Sequence, residues 1–494
     1  MKHRNWRESA IPFALAIPTC TILYIGILNR TFAVLDDYRM VSAVQGMRMF
    51  RIEGHASTEL ATGRLIPALF FDIVWCRVKG ISDLSYIRWI SLAIVLFTVL
   101  GLMAWFFRIS KTSLGISRIL VVAASLFMVS LPSIIATITW AQKATQLIAF
   151  PLAISGGIAY AKKDLSWTWR IAGFALITSA SFTYQQFGML AVFPVALWAL
   201  TPSTGLSAAA ALTRIIEVSV VCFTSLLLNV VFVRIYAPDV LGGVGIGSAG
   251  NRLNALFGSY LPKSVHLVVS KSATSLLVTA AVFGALVYLA LILSRESARI
   301  LLASLLSVGM SSLVTLGGAV DTSYRFIFPG QVAMWLGIWL AIIHALANST
   351  RVRSALRVVL VLGLILVSTG FALKSRGVSS SVIAERNATD ISEAMCHLTN
   401  AAESSGITEL VFRLDRVSLS GKEAVYSEIG LLASHVDWIL SDQLTLLMTS
   451  DSALESLRKL PLTILDSDAE LPHSATTFVA DLQSTCLLDG KTPS

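Results

Sequence analysis

The chain has 494 residues, 55% of them apolar and only 14% charged, with a net charge of +9. Soluble domains carry about 25% charged residues, so an ordinary soluble globular protein is excluded. The positive balance is no nucleic-acid footprint either. Residues 374–494 hold 9 Lys and Arg against 17 Asp and Glu, so the basic excess belongs to residues 1–373. Much of it lies in short loops between apolar runs, where membrane topology accounts for it.

Apolar runs of about 18–25 residues, each long enough to cross a bilayer core of ~30 Å, recur up to about residue 373. The pattern predicts a polytopic α-helical membrane domain over residues 1–373 with about 11 spans. These fall near 11–29, 86–107, 116–135, 141–160, 170–184, 187–201, 213–233, 273–293, 298–318, 326–346 and 355–373. The first run follows Lys2, Arg4 and Arg7, and no small-residue cleavage site is convincing, so it reads as a retained span. One set of connections carries Arg108/Lys111/Arg118, Lys162/Lys163/Arg170, Arg214, Arg295/Arg299 and Arg351/Arg353/Arg357. The opposite short turns, at 136–140 and near 185, carry no Lys or Arg. By the positive-inside rule the N-terminus is cytoplasmic. Loop 30–85, the turns at Trp140 and Tyr184, loop 234–272, Asp321–Arg325 and the tail then face outward. In a Gram-negative cell that face is periplasmic.

Loop 30–85 is too long for a simple connector. Asp36 and Asp37 are adjacent carboxylates just past the first span, and two like charges there are costly to hold together. They are the candidate reaction centre, or else the cap of a short helix. That helix is predicted to lay Val41, Val44 and Met47 on the bilayer surface, with Arg48 and Arg51 reaching headgroups. Arg39 and Arg64 suit a phosphate, from substrate or lipid. Leu65–Phe71 is apolar but too short to span. Glu53, His55 and Glu59 read as solvated loop residues.

Further along, Lys143 follows Trp140 at a membrane end, where a lysine serves either structure or substrate. Tyr184 and Gln185 break a hairpin, and their polar groups suit sugar hydroxyls or interhelical packing. Arg325 can grip a phosphate with its planar fork, or pair locally with Asp321. The glycine-rich stretch 241–250 lacks the strand–turn–helix setting of a nucleotide loop and reads as a mobile loop, a candidate lid. Lys263, His266 and Lys271 are placed near anionic headgroups. Of the five cysteines, Cys20, Cys76 and Cys222 read as packing residues. Cys396 and Cys486 pair if the tail lies in an oxidising compartment; sequence leaves this open.

Residues 374–494 read as a small extracytoplasmic α/β or α+β domain. Helices are predicted at Ala384–Leu398, Val425–Leu432 and Asp451–Leu460, and strands around Leu410–Phe412 and Leu462–Leu465. Nothing in the domain forms a triad or metal set, so it is assigned to acceptor binding or assembly. Asn387-Ala-Thr389 matches a glycosylation acceptor, a common match with little weight.

Together, Asp36-Asp37-x-Arg39 after span one, Gly63-Arg64 downstream, Ser181-Phe-Thr-Tyr184-Gln185 and Tyr324-Arg325 near a late span resemble the bacterial O-antigen glucosyltransferase (Gtr) family. That family is a branch of the membrane glycosyltransferases with the GT-C fold, and the likeness covers residues 1–373. It implies a multi-pass enzyme of the bacterial inner membrane. Such an enzyme transfers a sugar, glucose by analogy, from a polyprenyl-phosphate donor to a surface polysaccharide such as the O-antigen of lipopolysaccharide, with inversion, on the periplasmic face. Asp36 or Asp37 is then the general base, while its neighbour orients the acceptor or a metal. Arg39, Arg64, Lys143, Tyr184, Gln185 and Arg325 are the candidate substrate contacts. A divalent cation, Mg or Mn, is left open. Partners are the lipid-linked donor, the polysaccharide and membrane lipids, with no nucleic acid. Two alternatives stand: a transporter or flippase of lipid-linked sugars, and a non-enzymatic assembly subunit.

Overall fold

The structure, a computed structural model, describes residues 2–34, 36–44, 63–75, 77–112, 118–236, 249–267, 273–317, 324–348, 354–415, 433–470, 472, 476–482 and 486. Among them, seven helices are long and apolar enough to cross a membrane: Ile11–Leu28, Ile81–Ile109, Ala208–Tyr236, Leu276–Leu293, Arg295–Val314, Ile327–Asn348 and the one beginning at Ser354. An eighth arises if Ile119–Val129 and Pro132–Thr139, bent by 65°, form one span. Helices also occupy the other predicted segments, as Ala149–Tyr160, Trp167–Thr183 and Gln185–Leu200, each shorter than a full span. The chain is thus a helical membrane protein with a small sheet domain.

Helix Ile327–Asn348 is the hub, 94% buried, with the Trp335 and Trp339 rings tilted against Phe127 at 5.0 and 5.6 Å. Its Gln331 repairs the bend at Pro132. The side-chain carbonyl accepts Ser133 N–H at 3.0 Å, while the amide donates to the carbonyls of Lys263 (3.2 Å) and His266 (2.7 Å). Backbone groups freed inside an apolar layer need such partners. Lys263 is buried here, whereas sequence put it among headgroups.

Side-chain contacts mark two ends of the bundle. At one, Tyr24 donates to Val129 O (2.7 Å) and Arg30 pairs with Glu385 (3.9 Å). At the other, His344 meets Thr112 (2.8 Å) and Glu296 (2.7 Å), and Ser203 caps Ile109 O (2.7 Å). The first and last spanning helices run the same way, since Gly26 abuts Arg376 just before Arg30 reaches Glu385.

The last helix continues through residue 403, 50 residues in all. At 1.5 Å per residue that is about 75 Å, more than twice the bilayer core. Its far half, Arg386–Glu403, is the first helix of the tail. The predicted boundary at residue 373 therefore lies inside a continuous helix. In the tail, β1 (Glu409–Arg413) pairs in parallel with β2 (Leu462–Leu465) and β3 (Thr477–Asp481), giving the order β2-β1-β3. The parallel sheet and its helices make the tail α/β. Central β1 buries Leu410, Val411 and Phe412, as a strand flanked on both sides does. Helix Asp437–Ser450 and β3 were not foreseen. The Asp451–Leu460 region forms two short 3-10 turns rather than a helix, and Val425–Leu432 lies outside the described residues. Cys396 and Cys486 form a disulfide, while Cys20 and Cys222 are free and buried.

Replacing Gln331 with Leu leaves Ser133 N–H without its partner and takes an amide donor from the Lys263 and His266 carbonyls. At about 1–3 kcal/mol for each orphaned group, thermal unfolding in detergent is expected to occur at a clearly lower temperature, with the far-UV helical signal unchanged beforehand.

Candidate functional site

Asp36 and Asp37 open the helix Asp37–Val44, where acidic residues suit the positive end. The two carboxylates have different surroundings. Asp37 is fully buried. Its Oδ2 accepts N–H bonds from Val34 (3.0 Å) and Ala141 (3.3 Å), and its Oδ1 accepts one from Gln142 (2.9 Å). Burial pushes its carboxyl up to about 6, against the opposing pull of Arg88 and the three N–H groups. Asp36 is half-buried, and among the described residues its carboxylate accepts no hydrogen bond.

Arg88, which sequence reading passed over, is the buried counter-charge. Its Nε donates to Thr139 O (3.1 Å), one terminal nitrogen to Arg30 O (3.2 Å) and the other to Phe32 O, and the guanidinium lies 3.5 Å from the centre of the Phe32 ring. The signal was present: an arginine in the first turns of a predicted span calls for a buried partner.

Lys143 follows the turn that Asp37 holds. It is buried, with Nζ 4.5 Å from the centre of the Trp140 ring, a cation–π arrangement. The Gln142 side-chain oxygen beside it is buried and takes no hydrogen bond among the described residues.

A second group gathers the mid-sequence motifs. Gly63 sits at φ +77°, and a Cβ there would lie 2.6 Å from Val233 and 2.7 Å from Asn229. Only glycine suits such a position. The Asn229 amide donates to Gly63 O (2.6 Å) and Ser181 O (3.4 Å), and its oxygen accepts from Gln185 (3.1 Å). The Arg64 guanidinium lies 5.2 Å from the centre of the Tyr184 ring. Motifs more than a hundred residues apart thus meet through Asn229, which sequence reading had left within a span. Helix Leu65–Trp75 leads from this group toward the aspartates, about 16 Å by its rise. It packs on helix Lys143–Leu147, and its Trp75 joins Tyr38, Ala141 and Ala144 in one cluster.

The tail completes that cluster. Tyr38, Met40 and Val41 pack with Leu440, Leu444 and Leu447 of the tail. Val41 therefore lies beneath the tail, not on the bilayer surface, because the tail offers it apolar partners. Tyr38 OH accepts from Gln443 (3.1 Å), whose amide also reaches Asp390 (3.5 Å), and Arg39 pairs with Asp442 (3.1 Å). Asp390 is buried, accepts N–H bonds from Ala433 and Ser434, and is pushed by burial up to about 6.

The side chain of Arg325 lies outside the described residues, as do Asp321, Met47, Arg48, Arg51, Glu53, His55, Glu59, Cys76, Lys271 and the glycine-rich stretch 241–248. Among the described residues no three His, Cys, Asp or Glu side chains form a metal donor set, and both Asp37 oxygens are engaged by N–H groups. Comparison with protein families, characterised proteins and solved structures gives no match to this chain.

Asp37 has a raised folded pKa, so its contribution is fully present below about pH 4 and is lost as pH rises through about 6. Asp37→Asn is expected to flatten that part of the unfolding profile, measured by thermal melts between pH 4 and 7. Gly63→Ala is expected to lower stability by about 1–3 kcal/mol through strain and collision with Val233, read as a fall in melting temperature.

Proposed function

We propose that this chain is a GT-C-type membrane glycosyltransferase with eleven crossings. It transfers a sugar, glucose by family resemblance, from a polyprenyl phosphate to a surface polysaccharide such as O-antigen on the periplasmic face of the bacterial inner membrane. The observation that carries the reading is convergence. Asp36, Asp37, Lys143, Arg64, Tyr184 and Gln185 belong to four stretches of sequence, yet they gather in two groups joined by helix Leu65–Trp75. Parallel first and last spans support an odd number of crossings, as eleven requires. The Cys396–Cys486 disulfide supports an oxidising compartment for the tail, hence for the aspartates it touches.

The two carboxylates divide the work. Asp36, half-buried and not hydrogen-bonded among the described residues, takes the proton from an acceptor hydroxyl. That oxygen bonds to the anomeric carbon as the bond from carbon to the phosphate oxygen breaks, which inverts the centre. Asp37, with both oxygens committed, holds the turn that presents Lys143. The Lys143 ammonium, with Arg325 as its sequence partner in this role, offsets charge gathering on the departing lipid phosphate. Arg64 and Tyr184, with Gln185, line the approach of donor or acceptor.

One feature favours the transporter alternative: helices broken within the membrane often line ion or substrate paths, and Ile119–Thr139 is broken. Here the break is tied off by Gln331, which leaves Ser133 N–H no site to offer.

In membranes supplied with polyprenyl-phosphate glucose and purified polysaccharide, Asp36→Asn is expected to reduce transfer by about 10²-fold or more at unchanged expression. Asp37→Asn is expected to lose activity together with stability. Full transfer by both folded variants would remove the enzymatic reading. A reporter fused after Ser494 is expected to be active only when exported; cytoplasmic activity would reverse the orientation.

A further inference from the structure

Arg108 follows Arg88 by twenty residues on helix Leu84–Ile109, about 30 Å by its rise, or one bilayer core away from the aspartates. There a cleft of about 460 Å³ opens where helices Leu84–Ile109, Ala149–Tyr160 and Val192–Leu200 end. Arg108, Lys111 and Lys163 line it together with Trp105 and Trp198. All three cations are exposed, and among the described residues none forms an ion pair or a side-chain hydrogen bond. Other basic residues of that end are committed: Arg170 and Arg214 share Glu217, and Lys162 lies over the Trp169 ring. Glu296 is taken by His344, and no carboxylate among the described residues lines the cleft. Cations at helix C-termini offset the dipole, but each end carries only about half a negative charge, so three cations leave a positive excess. Lys111 stands just past a helix end at φ +53°. Its N–H donates to Arg108 O (3.4 Å) and that of Thr112 to Phe107 O (3.1 Å), the pairing for which glycine is the usual residue. Lysine there keeps a charge at the cleft at a conformational cost.

We propose that this cleft binds the headgroup of an anionic phospholipid from the leaflet at that end of the bundle. Arg108, Lys111 and Lys163 hold the phosphate, and Trp105 and Trp198 pack against the glycerol and the first acyl carbons. Basic clefts between membrane helices suit such headgroups. The planar fork of Arg108 can meet two phosphate oxygens, while the lysines act as point charges. A lipid fits the walls better than a soluble phosphate does. Ser203 and Thr204 spend their hydroxyl protons on Ile109 O (2.7 Å) and Thr201 O (2.8 Å), so the cations are the donors on offer. The remaining walls are tryptophan and isoleucine. Trp167 and Trp169, at the start of helix Trp167–Thr183, are exposed on the same end, as rings at headgroup level are. The inference stands apart from the glycosyltransferase reading and needs no part of it.

The test titrates full-length protein, purified in a neutral detergent, with phosphatidylglycerol or phosphatidylcholine and reads bound lipid by native mass spectrometry. One phosphatidylglycerol is expected to bind about 10²-fold more tightly than phosphatidylcholine. Arg108→Gln, Lys111→Gln and Lys163→Gln are each expected to weaken it about fivefold, and the triple variant to bind both lipids alike. These side chains are exposed, so melting in lipid-free detergent is expected to stay at the wild-type temperature. The single variants decide the question if the triple one does not fold. Lys162→Gln removes the neighbouring charge, held on Trp169, and is expected to leave phosphatidylglycerol binding within about twofold. Equal losses in Lys162→Gln and Lys163→Gln overturn the proposal, because diffuse surface charge would then suffice. Equal wild-type affinity for the two lipids overturns it as well, as do single variants that bind like wild type. Displacement of phosphatidylglycerol by millimolar inorganic phosphate at constant ionic strength sinks the lipid assignment in favour of a soluble anion.

Discussion

Two buried charges hold the site end of the bundle together. The chain leaving the first span, residues 30–34, and the turn at 140–142 after the helix ending at Thr139 both lack regular structure where water is scarce. Backbone groups in such places must find partners. Arg88 takes the carbonyls of Arg30, Phe32 and Thr139, and Asp37 takes the N–H groups of Val34, Ala141 and Gln142. Each ion thus grips both segments, the cation by their acceptors and the anion by their donors. The arrangement offsets the desolvation of two charges through backbone dipoles as well as mutual attraction. Lys143, Tyr38 and Asp36 stand where they do because these segments are fixed.

Much of the membrane part was legible because run length and loop charge are direct consequences of the bilayer. Helices lie at each segment where an apolar run was found. The sequence also singled out Asp36, Asp37, Gly63, Arg64, Tyr184 and Gln185, residue types that are out of place beside apolar spans unless something holds them. Their partners were harder to see. Arg88 and Asn229 each sit inside a span that reads as uniformly apolar at window resolution, and a window average hides a single polar residue. Helix Asp437–Ser450 was missed because its pattern is poor on its own; it is stabilised by Tyr38, Met40 and Val41, which lie some 400 residues away in the chain.

The same distance explains the error over Val41. Apolar residues on a helix beside a membrane suit lipid, and without the tail that is where they would go. The tail competes for that face and wins, burying it in a core shared with Trp75 and the Trp140 turn. The tail is the roof of the aspartate helix, joined to the bundle by a helical run of 50 residues.

Roofing has a consequence for how the protein is made. Arg39 and Asp442 are separated by 403 positions, and Tyr38 and Gln443 by 405. Translation proceeds at about 5–20 residues per second, so the aspartate helix waits roughly 20–80 s for its cover. Throughout that interval Tyr38, Met40 and Val41 lack their final neighbours. Lipid or a chaperone must shelter them, and the nascent chain lacks the Arg39–Asp442 and Tyr38–Gln443 contacts that hold the helix. Completion of the last domain therefore doubles as a timer on the first.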